Sequence, residues 1–549
     1  MTREPSAHRD TFAIDRLPPA HLWPELPGIE QLGYPARLNA ASVLVDDWVA
    51  AGQGDRTALV FDGGSWTYRE LMERSNRIAN VLVSELELQP GNRVLLRGAN
   101  TPMMVAAWFG VLKAGGICVA TMPLLRAREI GAIADVAAIS LALCDTRVAE
   151  DCHRARDEKG VLQRIVEFHS EDPGGLESLM AGASATFDAV RTAAEDVALI
   201  AFTSGTTGRP KGTVHFHRDL LAICDTYGKH VVRLTPADIC CGSPPLAFTF
   251  GLGGLVLFPM RVGAASLLLE QGSPPHLLEG IGRHRATAAF TAPTAYRAMA
   301  GLLDDGDVSS LRVCVSAGEH LPAATFEQWR ARTGLEILDG IGSTEMLHIF
   351  IGSPEGETRA GSTGRVVPGY LARVVDEHGH ELPPNEVGHL AVQGPTGCRY
   401  LDNEERQRAY VRNGWNYPGD AYRRDEHGYF WYQARTDDLI VSAGYKIPGP
   451  EVEAALLEHP SVAECGVVGL PDEERGERVT AYVVLREGYD ASAELRGALQ
   501  NFVKAQIAPY KYPRTIEFVA SLPRTQTGKL QRFRLRDAGA APSERGEET

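Results

Sequence analysis

The sequence is poor in the features that mark several common protein classes. Its nine cysteines, Cys118, Cys144, Cys152, Cys224, Cys240, Cys241, Cys314, Cys398 and Cys465, are odd in number, scattered, and never spaced C-x-x-C. That excludes a disulfide framework and a zinc signature, and it fits a reducing compartment. Basic residues are not in excess: 55 Lys and Arg stand against 70 Asp and Glu, a net charge of −15. A protein that coats nucleic acid needs a basic face, so this balance argues against that class. It does not exclude an anionic small molecule, because a few local cations can hold one. The longest apolar run, around Ala247–Met260, is too short and too rich in glycine to span a bilayer. Met1 to Asp10 hold no apolar stretch, so no secretory signal is expected. No segment repeats. These absences leave a soluble, cytoplasmic protein as the expectation. Its 549 residues are enough for at least two domains at about 100–200 residues each. Glycine, at 56 residues, is abundant, which favours turns and close backbone approaches.

Residues 1–40 are rich in proline and weakly periodic, and they read as an extended N-terminal wrap. Beyond Ser42, Trp66-Thr67-Tyr68 is β-like and Glu70–Leu86 has helical spacing. Strands are predicted at Arg93–Leu96, Ile117–Ala120, Leu141–Cys144 and Val161–Phe168, with helices at Met103–Gly115 and Val148–Glu158. Such alternation predicts a parallel sheet covered by helices. A second run places strands at Val197–Thr203, Leu255–Phe258, Ala265–Leu269, Ala288–Thr291 and Val313–Ser316. Its helices are Asp219–Tyr227 and Pro274–His284. Residues 359–433 read as β-rich, with turn clusters such as Asp376 to His380 and no long helix. After a boundary near Arg435–Lys446, helices at Gly449–His459 and Ala493–Gln506 accompany strands at Val462–Leu470, Val479–Leu485 and Thr515–Val519. The fold class is therefore α/β: a large N-terminal domain of two helix-covered sheets plus a β-rich subdomain, and a small mobile α+β C-terminal domain. The divisions are 1–434, a hinge at 435–446, a lid at 447–537, and a tail at 538–549 too poor in apolar residues to order itself.

The strongest chemical signal is Thr203-Ser204-Gly205-Thr206-Thr207-Gly208-Arg209-Pro210-Lys211-Gly212, directly after an apolar strand. Glycines and small hydroxyl residues let N–H and O–H groups converge on phosphate oxygens, and Lys211 adds a cation. It is not a Walker loop, since Pro210 precedes the lysine and Gly212 follows it. The bland alternative is a Ser/Thr/Gly surface loop.

This segment resembles the signature loop of the adenylate-forming superfamily of acyl-CoA synthetases, peptide-synthetase adenylation domains and luciferases. Four more segments match in order: Gly340 to Glu345, Trp415 with Gly419-Asp420, Arg435-Thr436-Asp437-Asp438 followed by Ser442 to Lys446, and Pro523 to Lys529. The resemblance implies that a carboxylate attacks the α-phosphate of ATP to give acyl-AMP and pyrophosphate, and that the thiol of coenzyme A then displaces AMP. Both reactants of the first step are anions, so cations must offset repulsion. By resemblance Thr203, Ser204, Gly205, Thr206, Thr207 and Gly208 bind the nucleotide, as do Gly318 and Glu319, while Lys211 acts as a catalytic cation. Thr344 contacts the α-phosphate and Glu345 holds Mg2+. Asp420 accepts from the ribose hydroxyls with help from Arg435. Lys529 bridges carboxylate and phosphate, Asp437 is the hinge, Gly444 lets the pantetheine arm pass, and Lys446 contacts phosphate. Out of context, Asp420 is a turn residue, Asp437 and Asp438 a solvated pair, and Lys529 an exposed loop lysine. Three positions depart from the pattern: Ile341 where an aromatic residue is frequent, Pro418 where Thr is common, and Lys446 for a frequent Arg.

Pro245 to Gly253 and Gly342 to Phe350 resemble the aryl-CoA branch, benzoate- and 2-aminobenzoate-CoA ligases. That resemblance makes Phe248 an aromatic gate and puts Thr249, Phe250, Gly342, His348 and Ile349 around the ring. His348 would hydrogen-bond an ortho amino or hydroxyl group; the alternative is a satisfied structural histidine. His215 and His217 lack the i, i+4 spacing of a helical metal pair and read as packing or gating residues. Trp108 and Trp415 read as core. The partners implied are a small aromatic acid, ATP and CoA, with no nucleic acid, no membrane, and a homodimer left open. Alternatives are a benzoate or salicylate ligase, a stand-alone enzyme loading a carrier protein, and an inactive scaffold. The presence of Lys211, Glu345 and Lys529 argues against the last.

Overall fold

The computed structural model describes residues 5–203, 210–304, 306–442, 445–472, 475–524 and 530–540. Two helix-covered sheets form the body of the N-terminal part. The first has the strand order Arg164–Phe168, Leu141–Asp145, Arg93–Arg97, Ile117–Thr121, Val197–Thr203, Lys211–Phe216, parallel except for the last strand. Its central strands are buried along their whole length, as strands sandwiched between helix layers are. The helix Tyr68–Ser84 starts at a capping box: Thr67 Oγ1 accepts from the Glu70 N–H at 3.2 Å, and Glu70 accepts from the Thr67 N–H at 2.8 Å.

The second sheet has nine strands. Its central order is Ile337–Gly342, Val313–Ala317, Ala288–Thr291, Ile239–Gly242, Ala265–Leu268, Thr57–Phe61, all parallel, with antiparallel strands at both edges. One prediction fails here. Leu255–Phe258 is not a strand; it lies in a helical stretch of three parts, Thr249–Leu252, Gly253–Leu257 and Phe258–Val262. A short apolar run carries no period, and helix and strand look alike when every side is buried. The sheet position goes instead to Ile239–Gly242. The two candidate histidines also part company, because the strand ends at Phe216 and His217 opens the helix His217–Ile223.

The β-rich region is a six-stranded antiparallel sheet built from Leu371–Val375, Val387–Gln393, Val411–Arg412, Trp415–Asn416, Asp420–Arg424 and Phe430–Arg435. Its one helix, Glu404–Tyr410, is short. The C-terminal sheet pairs Tyr445–Pro448, Leu439–Ser442, Gly476–Leu485 and Val462–Asp472, with Thr515–Phe518 parallel to Gly476–Leu485. It therefore starts at Leu439, inside the stretch expected as a hinge. The final helix, Arg532–Ala540, also runs past the expected start of a disordered tail. Leu535 is buried, and its carbonyl accepts from the Tyr482 hydroxyl at 3.0 Å. That anchoring offsets the polar composition of the segment. Residues 5–40 do wrap the body, with a helical turn at Phe12–Asp15. The Arg9 N–H donates to Pro90 and the Glu25 N–H to Gly414, both at 2.9 Å.

Candidate active site

The strand Lys211–Phe216 organises the site. Thr203 pairs with Lys211 across the antiparallel ladder, so these two residues flank the segment expected to bind phosphate. Burial and the neighbouring Arg406 lower the Lys211 pKa, and the Glu345 carboxylate partly offsets them. The strand's other edge meets residues 399–401: the Val214 N–H donates to Arg399 at 2.9 Å, and the Leu401 N–H to Gly212 at 2.8 Å. This brings Tyr400 to Glu345, and its hydroxyl donates to Oε1 at 2.6 Å. Burial and the Glu345 charge raise the Tyr400 pKa far above its usual value, so the phenol stays a donor.

Thr344 and Glu345 lie on the single helical turn Thr344–Met346. The Ser343 hydroxyl accepts from the Met346 N–H at 3.2 Å and contacts the Tyr410 hydroxyl at 3.1 Å. Leu347 leaves the turn at φ +69°. His215 Nε2 donates to the Thr344 carbonyl at 2.8 Å, and its ring is fully buried. Burial lowers the His215 pKa to about 4. His217 is a packing residue, with Nδ1 accepting from the Ala40 N–H at 3.1 Å.

Asp420 and Arg435 face each other in adjacent strands. Arg435 Nη1 donates to both Asp420 carboxylate oxygens at 3.2 Å and to the Pro418 carbonyl at 2.9 Å. Gly419, at φ +84°, makes the close turn possible; a Cβ there would sit 2.8 Å from the arginine. Gly318 leads to Glu319, whose carboxylate lies 3.9 Å from Arg524, and His320 stacks on Tyr432 at 5.6 Å. Arg524 bridges Leu530, so the described ends of the lysine segment are held beside Glu319. Ser204, Gly205, Thr206, Thr207, Gly208, Gly444 and Lys529 lie outside the described residues, as do the side chains of Asp437 and Lys446.

The residues expected around the ring lie among aromatic side chains. Phe248 caps the stretch beginning at Thr249, and its N–H donates to Pro245 at 3.0 Å. Asn100 steadies this loop by donating to the Pro244 carbonyl at 3.0 Å and accepting from the Leu246 N–H at 2.9 Å. The His348 ring is 4.6 Å from Phe258, 5.5 Å from Tyr227 and 5.8 Å from Phe250. It is buried, its pKa is lowered by burial to about 3, an effect the Phe250 backbone partly offsets, and neither ring nitrogen makes a hydrogen bond of good geometry among the described residues. Gly253 passes so close that any Cβ would overlap the imidazole, and Gly342 lies against the His348 backbone. Ile349 is buried on the strand Ile349–Gly352. Thr249 is half-buried beside Phe250.

Sequence reasoning missed Tyr400 and Tyr227. No local pattern marks Tyr400. Tyr227 was the last residue of a predicted helix, and its buried hydroxyl lacks a partner among the described residues. Trp415 was assigned to the core; it is half-buried under Arg373, 3.9 Å from its ring. Among the described residues no cluster of three His, Cys, Asp or Glu could cage a metal. The single carboxylate of Glu345 fits Mg2+, which keeps several waters and is held by one or two carboxylates plus substrate phosphates. No described helix is long and apolar enough to cross a membrane.

The AMP-binding enzyme family matches residues 46–399, and the AMP-binding enzyme C-terminal domain matches residues 451–529. The chain is 37% identical to benzoate–CoA ligase of Thauera aromatica over 513 residues, 92% of this chain and 97% of that protein. Its fold matches the crystal structure of the anthranilate CoA ligase AuaEII in complex with anthranoyl-AMP, with a TM-score of 0.87, 33% identity, and coverage of 92% and 98% of the two chains. A benzoate CoA ligase from Burkholderia xenovorans LB400 matches with a TM-score of 0.84, 34% identity, and coverage of 91% and 100%. The chain belongs to the AMP-binding enzyme family and is an AMP-forming acid–thiol ligase of its aryl-CoA branch.

Proposed function

We propose that the enzyme adenylates 2-aminobenzoate, or a related ortho-substituted benzoate, and passes the aryl group to CoA. The observation that carries this reading is His348: a buried, neutral imidazole with no hydrogen bond of good geometry at either nitrogen among the described residues, set among Phe250, Phe258 and Tyr227. A flat apolar slot with one or two polar groups suits a substituted aromatic acid. The resemblance to an anthranilate CoA ligase supports the same choice.

In the first half-reaction a carboxylate oxygen attacks the α-phosphorus, and the bond to pyrophosphate breaks. Lys529 and Lys211 offset the negative charge, Thr344 orients the α-phosphate, and Asp420 with Arg435 fixes the ribose. Glu345 would hold Mg2+, which when bound would supply charge neutralisation on the phosphates. In the second half-reaction the CoA thiolate attacks the acyl carbon and AMP leaves. Asp437 is the pivot on which the C-terminal part turns between the two, with Gly444 and Lys446 at the path of CoA.

A second reading, unsubstituted benzoate, is favoured by the identity to a benzoate–CoA ligase. A panel of benzoates assayed for AMP formation with and without CoA separates the two. A site built to bond a ring substituent discriminates strongly against the analogue lacking it, so 2-aminobenzoate should exceed benzoate in kcat/KM by at least about tenfold. Equal or better use of benzoate removes the ortho-substituent reading. Formation of aryl-AMP with no CoA thioester assigns a carrier-protein acceptor.

A further inference from the structure

We propose that His215 is a positioning residue for the Thr344–Glu345 turn, clamping it to the strand Lys211–Phe216. The proposal rests on the roles given above to Thr344 and Glu345. Lys211, Thr213 and His215 alternate along one strand and share a face. At one end of that face Lys211 feels the Glu345 charge. At the other, His215 donates to the Thr344 carbonyl at 2.8 Å. A carbonyl only accepts, so Nε2 carries the hydrogen. Nδ1 is 3.9 Å from Asp219, too far for a hydrogen bond, so the ring is held on this side by the Thr344 contact.

The turn needs such a clamp. It is only three residues long, and it exits through Leu347 at φ +69°, a strained conformation for a branched side chain. The Leu347 N–H also donates to the Thr344 carbonyl, at 3.1 Å. His215 thus supplies the second donor to the same oxygen. It links the element that cradles phosphate to the one that carries the metal carboxylate, residues 129 apart in sequence.

The test compares His215→Leu, His215→Gln and His215→Asn with Glu345→Gln in the full-length enzyme. The readouts are acid-dependent pyrophosphate release, its Mg2+ dependence, thioester formation from supplied aryl-AMP, and the melting temperature. A support lost behind a metal ligand costs about 10–100-fold in metal affinity or activity. His215→Leu should therefore raise the Mg2+ concentration for half-maximal release and lower its kcat by that order, while thioester formation changes little. His215→Gln, whose amide reaches the same carbonyl, should recover most of the loss; His215→Asn, too short, should not. If the leucine variant does not fold, the Gln and Asn pair decides by the same criterion. Equal behaviour of Gln and Asn, or an unchanged Mg2+ dependence in His215→Leu while Glu345→Gln shifts it, overturns the role of His215. If Glu345→Gln leaves the Mg2+ dependence unchanged, the assignment of Glu345 fails, and the role of His215 falls with it.

Discussion

Among the histidines whose pKa burial lowers from 6.5, His215, His217 and His348 fall to about 4, 3 and 3. The folded chain keeps each neutral, whereas the unfolded chain protonates them as the pH falls below 6.5. Their contribution to stability is therefore complete above that value and is lost as the pH falls toward the folded pKa values. The cost is about 2 kcal/mol per residue at pH 5. A melting series from pH 8 to pH 4 should fall steeply below pH 6.5, and His217→Gln should flatten it. The acid-binding step should not titrate through His348 between pH 5 and 8, which kcat/KM for the aromatic acid will report. Tyr400 makes a second prediction at this scale. Tyr400→Phe keeps the ring and removes the donor to Glu345. A hydrogen bond to a charged group contributes about 1.5–3 kcal/mol, so adenylation should slow by about tenfold or more with little change in melting temperature. An unchanged pyrophosphate burst would mean that Glu345 needs no such partner.

At the scale of elements, the helical stretch from Thr249 to Val262 shows how local reading fails. Leu255, Val256, Leu257 and Phe258 are all buried, so neither the period of a helix nor that of a strand is visible in them. The glycines around them were the better signal. Gly253 and Gly254 lack side chains because His348 and Phe290 occupy that space. Gly253→Ala should displace the His348 ring, cost about 1–3 kcal/mol through overpacking, and raise KM for the aromatic acid while leaving KM for ATP nearly unchanged. A thermal melt and the two KM values check it. Other elements were legible: Val197–Thr203, Pro274–His284, Ala288–Thr291 and Ala493–Gln506 have the bounds read from the sequence. Their caps, apolar runs and flanking turns are local, so local reading suffices.

Across the whole molecule, a chain of alternating charges joins the N-terminal and C-terminal parts. Glu464 lies 3.8 Å from Arg297 and 2.8 Å from Arg524, and Arg524 lies 3.9 Å from Glu319. These groups are partly exposed, and such pairs contribute about 0–1 kcal/mol. Glu464→Gln should therefore reduce pyrophosphate release by no more than about fivefold, and added salt should lower wild-type release toward the same level. Lys529→Ala tests the larger division of labour. It should abolish adenylation yet leave thioester formation from supplied aryl-AMP largely intact. Equal loss of both activities would make Lys529 structural.

The segments by which the family is recognised were legible because each is continuous: a glycine-rich loop after an apolar strand, or an acid beside a glycine, keeps its pattern without the rest of the chain. The sequence alone was enough to recognise the family from these segments and to place many of the strands and helices around them, and it left two readings of His348 open. Tertiary structure alone decided what surrounds these groups. Tyr400 reaches Glu345 across 55 residues and His215 reaches Thr344 across 129, and Tyr227 meets His348 only when helix and sheet close on each other. Such contacts depend on packing between distant segments, and composition and periodicity describe only neighbours along the chain.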